Sequence, residues 1–266
     1  AGNSTNPFYS PIIKENITYE VWNEVVGDIV PPDINFVFPT LSNASTTFNI
    51  SVDINISITE ASLNEIKFNW NGTNYTLYDD SVIFKFNFNN LSALGENDTK
   101  VVDLSRNSYN ATVFNAKANM TGGKYAGGFE FDGTTDYILL DKHIDGFNST
   151  KNYTVSVWVK TEETGTSNRD IFDLMSDVSG NWDFSLFQRN DETVHFAIYH
   201  DGISTGNVTR VYVDTRKYVG RWVHFVAMKN DTHASIWLDG KYANSSILNK
   251  SYTLNPANIN FSFGAR

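Results

Sequence analysis

Hydrophobic and polar residues alternate along most of this chain with a period of two, the spacing of half-buried strands. The cleanest run is Phe48 to Ile58. Phe48, Ile50, Val52, Ile54, Ile56 and Ile58 fall on one face, and Asn49, Ser51, Asp53, Asn55 and Ser57 on the other. One continuous strand is predicted there. Leu63 to Trp70 and Thr73 to Tyr78 flank Asn71-Gly72, a two-residue hairpin signal. Ser81 to Asn89 then places Val82, Phe84, Phe86 and Phe88 on one face. Short strands follow at Gly128 to Phe131, Tyr137 to Leu140, Tyr153 to Lys160, Ile171 to Met175, Asp183 to Gln188, Val194 to Tyr199, Val211 to Asp214, Trp222 to Lys229, Ala234 to Leu238 and Ile259 to Gly264, with Asp239-Gly240 as a second hairpin turn. No stretch carries a helical period, so the pattern predicts an all-β sandwich or jelly roll.

One predicted strand stands apart. Between Asn16 and Val26, Ile17, Tyr19, Val21 and Val25 share a face opposite Thr18, Glu20 and Glu24, and Gly27-Asp28 and Pro31-Pro32 close the run. An isolated strand is not stable in water, so this one must pair with something encoded elsewhere. The organisation that follows is a segment 1–30 carrying a donor-type strand at about 17–26, a small β unit over 31–79, and a large β unit over 80–266. The nearly linker-free join at Asp79-Asp80 predicts a stiff pair.

Composition narrows the compartment. The chain holds 266 residues and no Cys, which excludes disulfides and thiolate metal sites. A net charge of -10 without a Lys/Arg cluster argues against nucleic acid. No run of apolar residues is long enough to span a membrane. The 32 Asn and 47 Ser plus Thr would give about 6 Asn-x-Ser/Thr sequons by chance. There are 18: Asn3, Asn16, Asn43, Asn49, Asn55, Asn71, Asn74, Asn90, Asn97, Asn110, Asn119, Asn148, Asn152, Asn207, Asn230, Asn244, Asn249 and Asn260. Such an excess points to an extracellular surface bearing N-linked glycans. The start Ala-Gly-Asn is what a processed or excised segment would show.

Six motifs in order over the C-terminal part resemble a family. Gly127-Gly128-Phe129-Glu130-Phe131-Asp132-Gly133 with Asp136-Tyr137-Ile138 resembles the signature of laminin-G-like, concanavalin A-like jelly rolls. Tyr153 to Val159, Arg221 to Ala227, Ile236 to Lys241 and Ile259 to Arg266 resemble it too, and Val102 to Asn107 with Ala111-Thr112-Val113 is similar to the family's entry loop. The unit around Pro31-Pro32-Asp33-Ile34 and Phe68 to Thr76 is similar to the Ig-like module that precedes such domains in archaeal surface proteins. The resemblance implies a further strand after Arg266, of the type F-N-G-x-I-D-E-V-R-I-W-N, beside the domain's first strand. Ile17-Thr18-Tyr19-Glu20-Val21-Trp22-Asn23 looks like that strand. The expected fold is therefore a small Ig-like sandwich plus a jelly roll completed by Ile17, Tyr19, Val21, Trp22 and Val25 of the same or a neighbouring chain.

The resemblance also implies candidate chemistry. Relatives often hold a calcium ion on oxygen-rich loops, which makes Asp103, Asp132 and Asp136 the candidate ligands; the alternative is that Asp132 and Asp136 cap their own turn. A glycosidase of this fold needs a second carboxylate after Glu130-x-Asp132, where Thr135 stands instead, so no catalytic residue is expected. His143, His195, His200, His224 and His233 lack metal-ligand spacing, and Trp158, Trp222 and Trp237 are expected in the core. The chain is thus expected to be a non-enzymatic, glycosylated surface protein, either a subunit that joins copies of itself head to tail by strand complementation or a lectin-like adhesin binding glycans or protein.

Overall fold

The computed structural model describes residues 30–49, 51–60, 63–144, 151–162, 168–176, 182–200, 207–248 and 259–264. The chain divides into two compact units, Ala1–Ile83 and Phe84–Arg266. The described residues form strands and two short 3-10 turns, with no α-helix.

In the first unit, β1 (Asp33–Val37) pairs antiparallel with β2 (Asn55–Thr59), and β3 (Ile66–Trp70) with β4 (Thr73–Tyr78). The β3–β4 turn uses Asn71 and Gly72 at φ 50° and 82°, the left-handed pair its sequence predicts. The strand predicted over Phe48 to Ile58 is shorter than expected. Its ladder ends where Asn55 pairs with Val37, because β1 stops before Pro39, which has no N–H to donate. Phe48, Val52 and Ile54 are left exposed, and Ile50 lies outside the described residues.

The second unit is a two-sheet sandwich. Its long sheet runs β14 (Val208–Asp214), β13 (Thr193–Tyr199), β12 (Trp182–Gln188), β11 (Arg169–Ser176), β18 (Ile259–Phe263), β9 (Tyr137–Leu140), β6 (Ala111–Phe114) and β5 (Lys100–Val101). Its short sheet runs β10 (Tyr153–Lys160), β15 (Trp222–Lys229), β16 (His233–Leu238) and β17 (Lys241–Ile247), and β7 (Lys117–Asn119) pairs separately with β8 (Gly128–Glu130). β14, β15 and β16 bury alternate residues, whereas β13 is buried on both faces. Val223, Phe225, Ala227, Ile236 and Leu238 of the short sheet and Leu174, Phe184, Leu186, Phe196 and Val211 of the long sheet are in the core. Tyr153 of β10 stacks on Phe184 of β12 at 4.4 Å, joining the two sheets. At one corner, Asn244 Nδ2 and Ser246 Oγ of β17 donate to the Tyr212 and Arg210 carbonyls of β14, each at 2.8 Å. Side chains thereby cover the outer edge of β14.

Candidate functional site

Two stretches of backbone in the second unit are strand-like yet incompletely paired. The first is β10. Its residues pair in register with β15 from Tyr153↔Lys229 to Lys160↔Trp222, and among the described residues no strand bonds its other edge. The consequence shows in its inward side chains. Val155, Val157 and Val159 are only half-buried, whereas their partners Ala227, Phe225 and Val223 on β15 are fully buried.

The second stretch is Phe84 to Asn87, part of the strand predicted over Ser81 to Asn89, which lies outside any ladder among the described residues and is followed by Phe88 at φ 56°. Its inward face packs as a strand's should. Phe84 meets Phe261 edge-on at 4.9 Å, Phe86 meets Phe263 at 5.8 Å, and Phe88 meets Phe129 at 5.9 Å. On one side the Lys85 N–H donates to Asp103 Oδ1 at 2.8 Å and its carbonyl accepts from Leu104 N–H at 2.8 Å. The Phe84 and Phe86 peptide groups have no hydrogen-bond partner among the described residues. Phe84, Phe86 and Phe88 are half-buried like the β10 valines.

One loop touches β10 and the residues that follow the second stretch. Gly127 N–H donates to Asn89 Oδ1 at 3.1 Å, while Tyr125 meets Trp158 of β10 at 5.6 Å and Lys124 Nζ lies 4.9 Å from the Trp158 ring. The loop is held tight by backbone contact, since a Cβ at Gly123 would lie 1.8 Å from the Gly127 carbonyl oxygen. The donor-type residues Ile17, Tyr19, Val21, Trp22 and Val25 lie outside the described residues.

The tryptophans correct an expectation. Trp158, Trp222 and Trp237 are half-buried on the outer face of the short sheet, because each is next in its strand to an inward residue, Val157, Val223 and Ile236, and so points the opposite way. Trp158 stacks on His224 at 5.1 Å, and Ser156 Oγ lies 2.7 Å from His224 Nε2. Trp237 meets Tyr242 at 5.6 Å. A half-exposed aromatic stripe with polar neighbours thus runs across this face. His195, between Phe187 and Tyr212 at 5.4 and 5.2 Å, and His200, 2.7 Å from Thr209 Oγ1, pack as residues without metal spacing should.

The candidate calcium ligands are engaged by their own loops. Asp103 is buried and accepts from the Lys85, Ser105 and Tyr109 N–H groups and the Ser105 hydroxyl. Asp132 accepts from the N–H and hydroxyl groups of Thr134 and Thr135 and from Asp136 N–H. The backbone N–H groups of Thr135 and Thr134 hold its carboxyl well below the usual range. Asp136 Oδ2 accepts from Asp132 N–H at 2.9 Å. Among the described residues no group of three His, Cys, Asp or Glu side chains could hold a metal ion. Glu130 accepts from Asn119 Nδ2 at 2.7 Å.

A carboxyl pair escaped the sequence pattern. A bulge in β11 between Asp170 and Phe172 brings Asp170 opposite Phe187 and Asp173 opposite Ser185, both on the face away from the core. Burial pushes Asp170 up, and a hydrogen bond with Asp173 partly offsets this. The i, i+3 spacing hides the pair from a period-two count.

Of the 18 sequon asparagines, 13 have described side chains, and none of these is buried. Asn3, Asn16, Asn148 and Asn249 lie outside the described residues, and only the backbone of Asn260 is described.

Residues 132–266 match the family described as the concanavalin A-like lectin/glucanases superfamily, in its laminin-G group. No curated protein matches the chain. The binding domain of Paraclostridial mosquitocidal protein 1 is similar in structure, with a TM-score of 0.52 and 13% identity over 70% of this chain and 48% of that one. The botulinum neurotoxin serotype G binding domain gives a TM-score of 0.49 and 14% identity over 61% of this chain and 40% of its own. The serotype D binding domain gives 0.48 and 17% over 61% and 40%. The chain thus spans less than half of each of these structures, and the likeness to the first is one of fold.

Proposed function

This chain belongs to the concanavalin A-like lectin/glucanases superfamily, and from that premise we propose that its jelly roll is a non-catalytic surface module completed by a strand from a second copy of the chain. The observation that carries this is the double edge. Among the described residues, β10 and Phe84 to Asn87 both present backbone groups without a ladder partner, and both leave their inward apolar side chains half-exposed. A strand laid between them would take up both sets of peptide groups and cover the valine and phenylalanine seam. The segment Asn16 to Val26 has the alternation to do so, with Ile17, Tyr19, Val21 and Val25 inward. Repeated head to tail, such a contact makes an open filament or array. An Ig-like first unit would be a spacer in it, and the sequon excess and acid charge suit an extracellular, archaeal-type surface. The test is to mix a chain lacking residues 1–30 with a peptide of residues 16–26. One-to-one binding that raises the melting temperature supports strand completion, and no binding at high peptide concentration contradicts it.

Glycan binding is the alternative, and the stripe of Trp158, His224, Trp237 and Tyr242 is what favours it, since sugar rings stack on half-exposed aromatics beside polar groups. A glycan array whose signal disappears in Trp158→Ala would select it over strand addition.

A further inference from the structure

We propose that the structure divides the sequons into two kinds, and that Asn97 and Asn230 carry N-linked glycans while Asn119 and Asn244 serve as structural amides and carry none. The proposal rests on the extracellular, glycosylated reading above. At Asn97, Oδ1 accepts from Thr99 N–H at 2.9 Å and from the Thr99 hydroxyl at 2.8 Å. At Asn230, Oδ1 accepts from Thr232 N–H at 2.9 Å, the Thr232 hydroxyl at 3.1 Å and His233 N–H at 2.8 Å. Backbone N–H groups can only donate, so the acceptor atom in each side chain must be oxygen and the orientation of the amide is set by chemistry. Both side chains are exposed, and each Nδ2 makes no hydrogen bond among the described residues. In both sequons the +2 threonine holds the asparagine by its oxygen and leaves the nitrogen toward solvent.

At Asn119 and Asn244 the oxygen is held too, and what differs is that the nitrogen is also engaged. Asn244 Nδ2 donates to the Tyr212 carbonyl at 2.8 Å while Oδ1 accepts from Ser245 N–H at 2.9 Å, and the sequon hydroxyl of Ser246 is spent on the Arg210 carbonyl. Asn119 Nδ2 donates to Glu130 Oε1 at 2.7 Å across the β7–β8 pair while Oδ1 accepts from Thr121 N–H at 3.2 Å. Both side chains are half-buried.

The transfer needs a lipid-linked glycosyl phosphate as co-substrate. Asn Nδ2 gives up one proton and bonds to the anomeric carbon, whose bond to the phosphate oxygen breaks, and the phosphate leaves with the electron pair. At Asn97 and Asn230 the nitrogen is open to that carbon. At Asn244 the incoming sugar would have to occupy the space of the Tyr212 carbonyl, which would uncover the edge of β14.

The full chain, made in a host that attaches N-linked glycans, can be enzymatically deglycosylated in heavy-oxygen water and mapped by peptide mass spectrometry. Label at Asn97 and Asn230 with none at Asn119 and Asn244 is the expected result. Label at Asn119 or Asn244, or none at Asn97 and Asn230 while other sequons are labelled, overturns this division and leaves the glycosylated reading standing. A chain with no label at any sequon overturns that reading itself.

Discussion

Phe84 sets its ring edge-on to Phe261 of β18 at 4.9 Å, while the peptide group of Phe84 has no partner among the described residues. The side chain is thus committed to the core and the backbone is not. Among the described residues this segment is held by packing and by the Lys85 backbone bonds, not by a ladder. Phe84→Ala should lower the unfolding free energy of the full chain by about 3 kcal/mol, the lower end for a phenylalanine truncation because the ring is half-buried. Urea denaturation measures this, and a change below about 1 kcal/mol would mean that the segment contributes little to the sandwich.

Asp103 ties that segment to the rest of the unit. Its carboxylate satisfies three backbone N–H groups, those of Lys85, Ser105 and Tyr109. Asp103→Ala leaves all three without this acceptor and should cost about 3 kcal/mol or more. Proteolysis should then cut within residues 84–90 before any site in β12 or β13.

Acid and burial act on different aspartates with opposite sign. Arg216 donates to Asp214 and holds its carboxyl at about 2. A depressed carboxyl supports the fold above its unfolded value, about 3.9, and loses that support as pH falls through its folded value. Asp170 is raised by burial, so its charge opposes folding at neutral pH and that opposition is relieved as pH falls through its folded value. Stability should therefore rise as pH is lowered from neutral toward the acid range, then fall below about pH 4. Asp170→Asn should abolish the rise and keep the fall. A wild-type profile that only declines would contradict the assignment.

Calcium should not matter to the described loops. Asp132 already accepts from Thr134, Thr135 and Asp136, so chelation removes nothing it depends on. The melting temperature should be the same in EDTA and in millimolar calcium. A rise with calcium that Asp132→Ala removes would restore the cation site.

Much of the fold was legible because period-two alternation survives wherever a strand has a core side and a solvent side. Tyr137–Leu140, Tyr153–Lys160 and Trp222–Lys229 begin and end as the pattern predicts. Three things were not legible. The length of a ladder depends on its partner, so the alternating run at Phe48 yields only Asn55–Thr59. The resemblance implies core positions for Trp158, Trp222 and Trp237, and alternation assigns two faces without saying which is inward, so nothing in the strand pattern opposes that expectation, which the structure corrects. And a bulge changes the period locally, which hid Asp170 and Asp173.

The most direct test of strand addition is amide hydrogen exchange across β10, residues 153–160, measured on the full chain over a wide range of concentration. Completion by a second copy predicts that the β10 amides not bonded to β15 exchange quickly in dilute solution and become protected as concentration rises, together with those of Phe84 and Phe86. Fast exchange of these amides at every concentration, or protection that is already complete at the lowest, would contradict it.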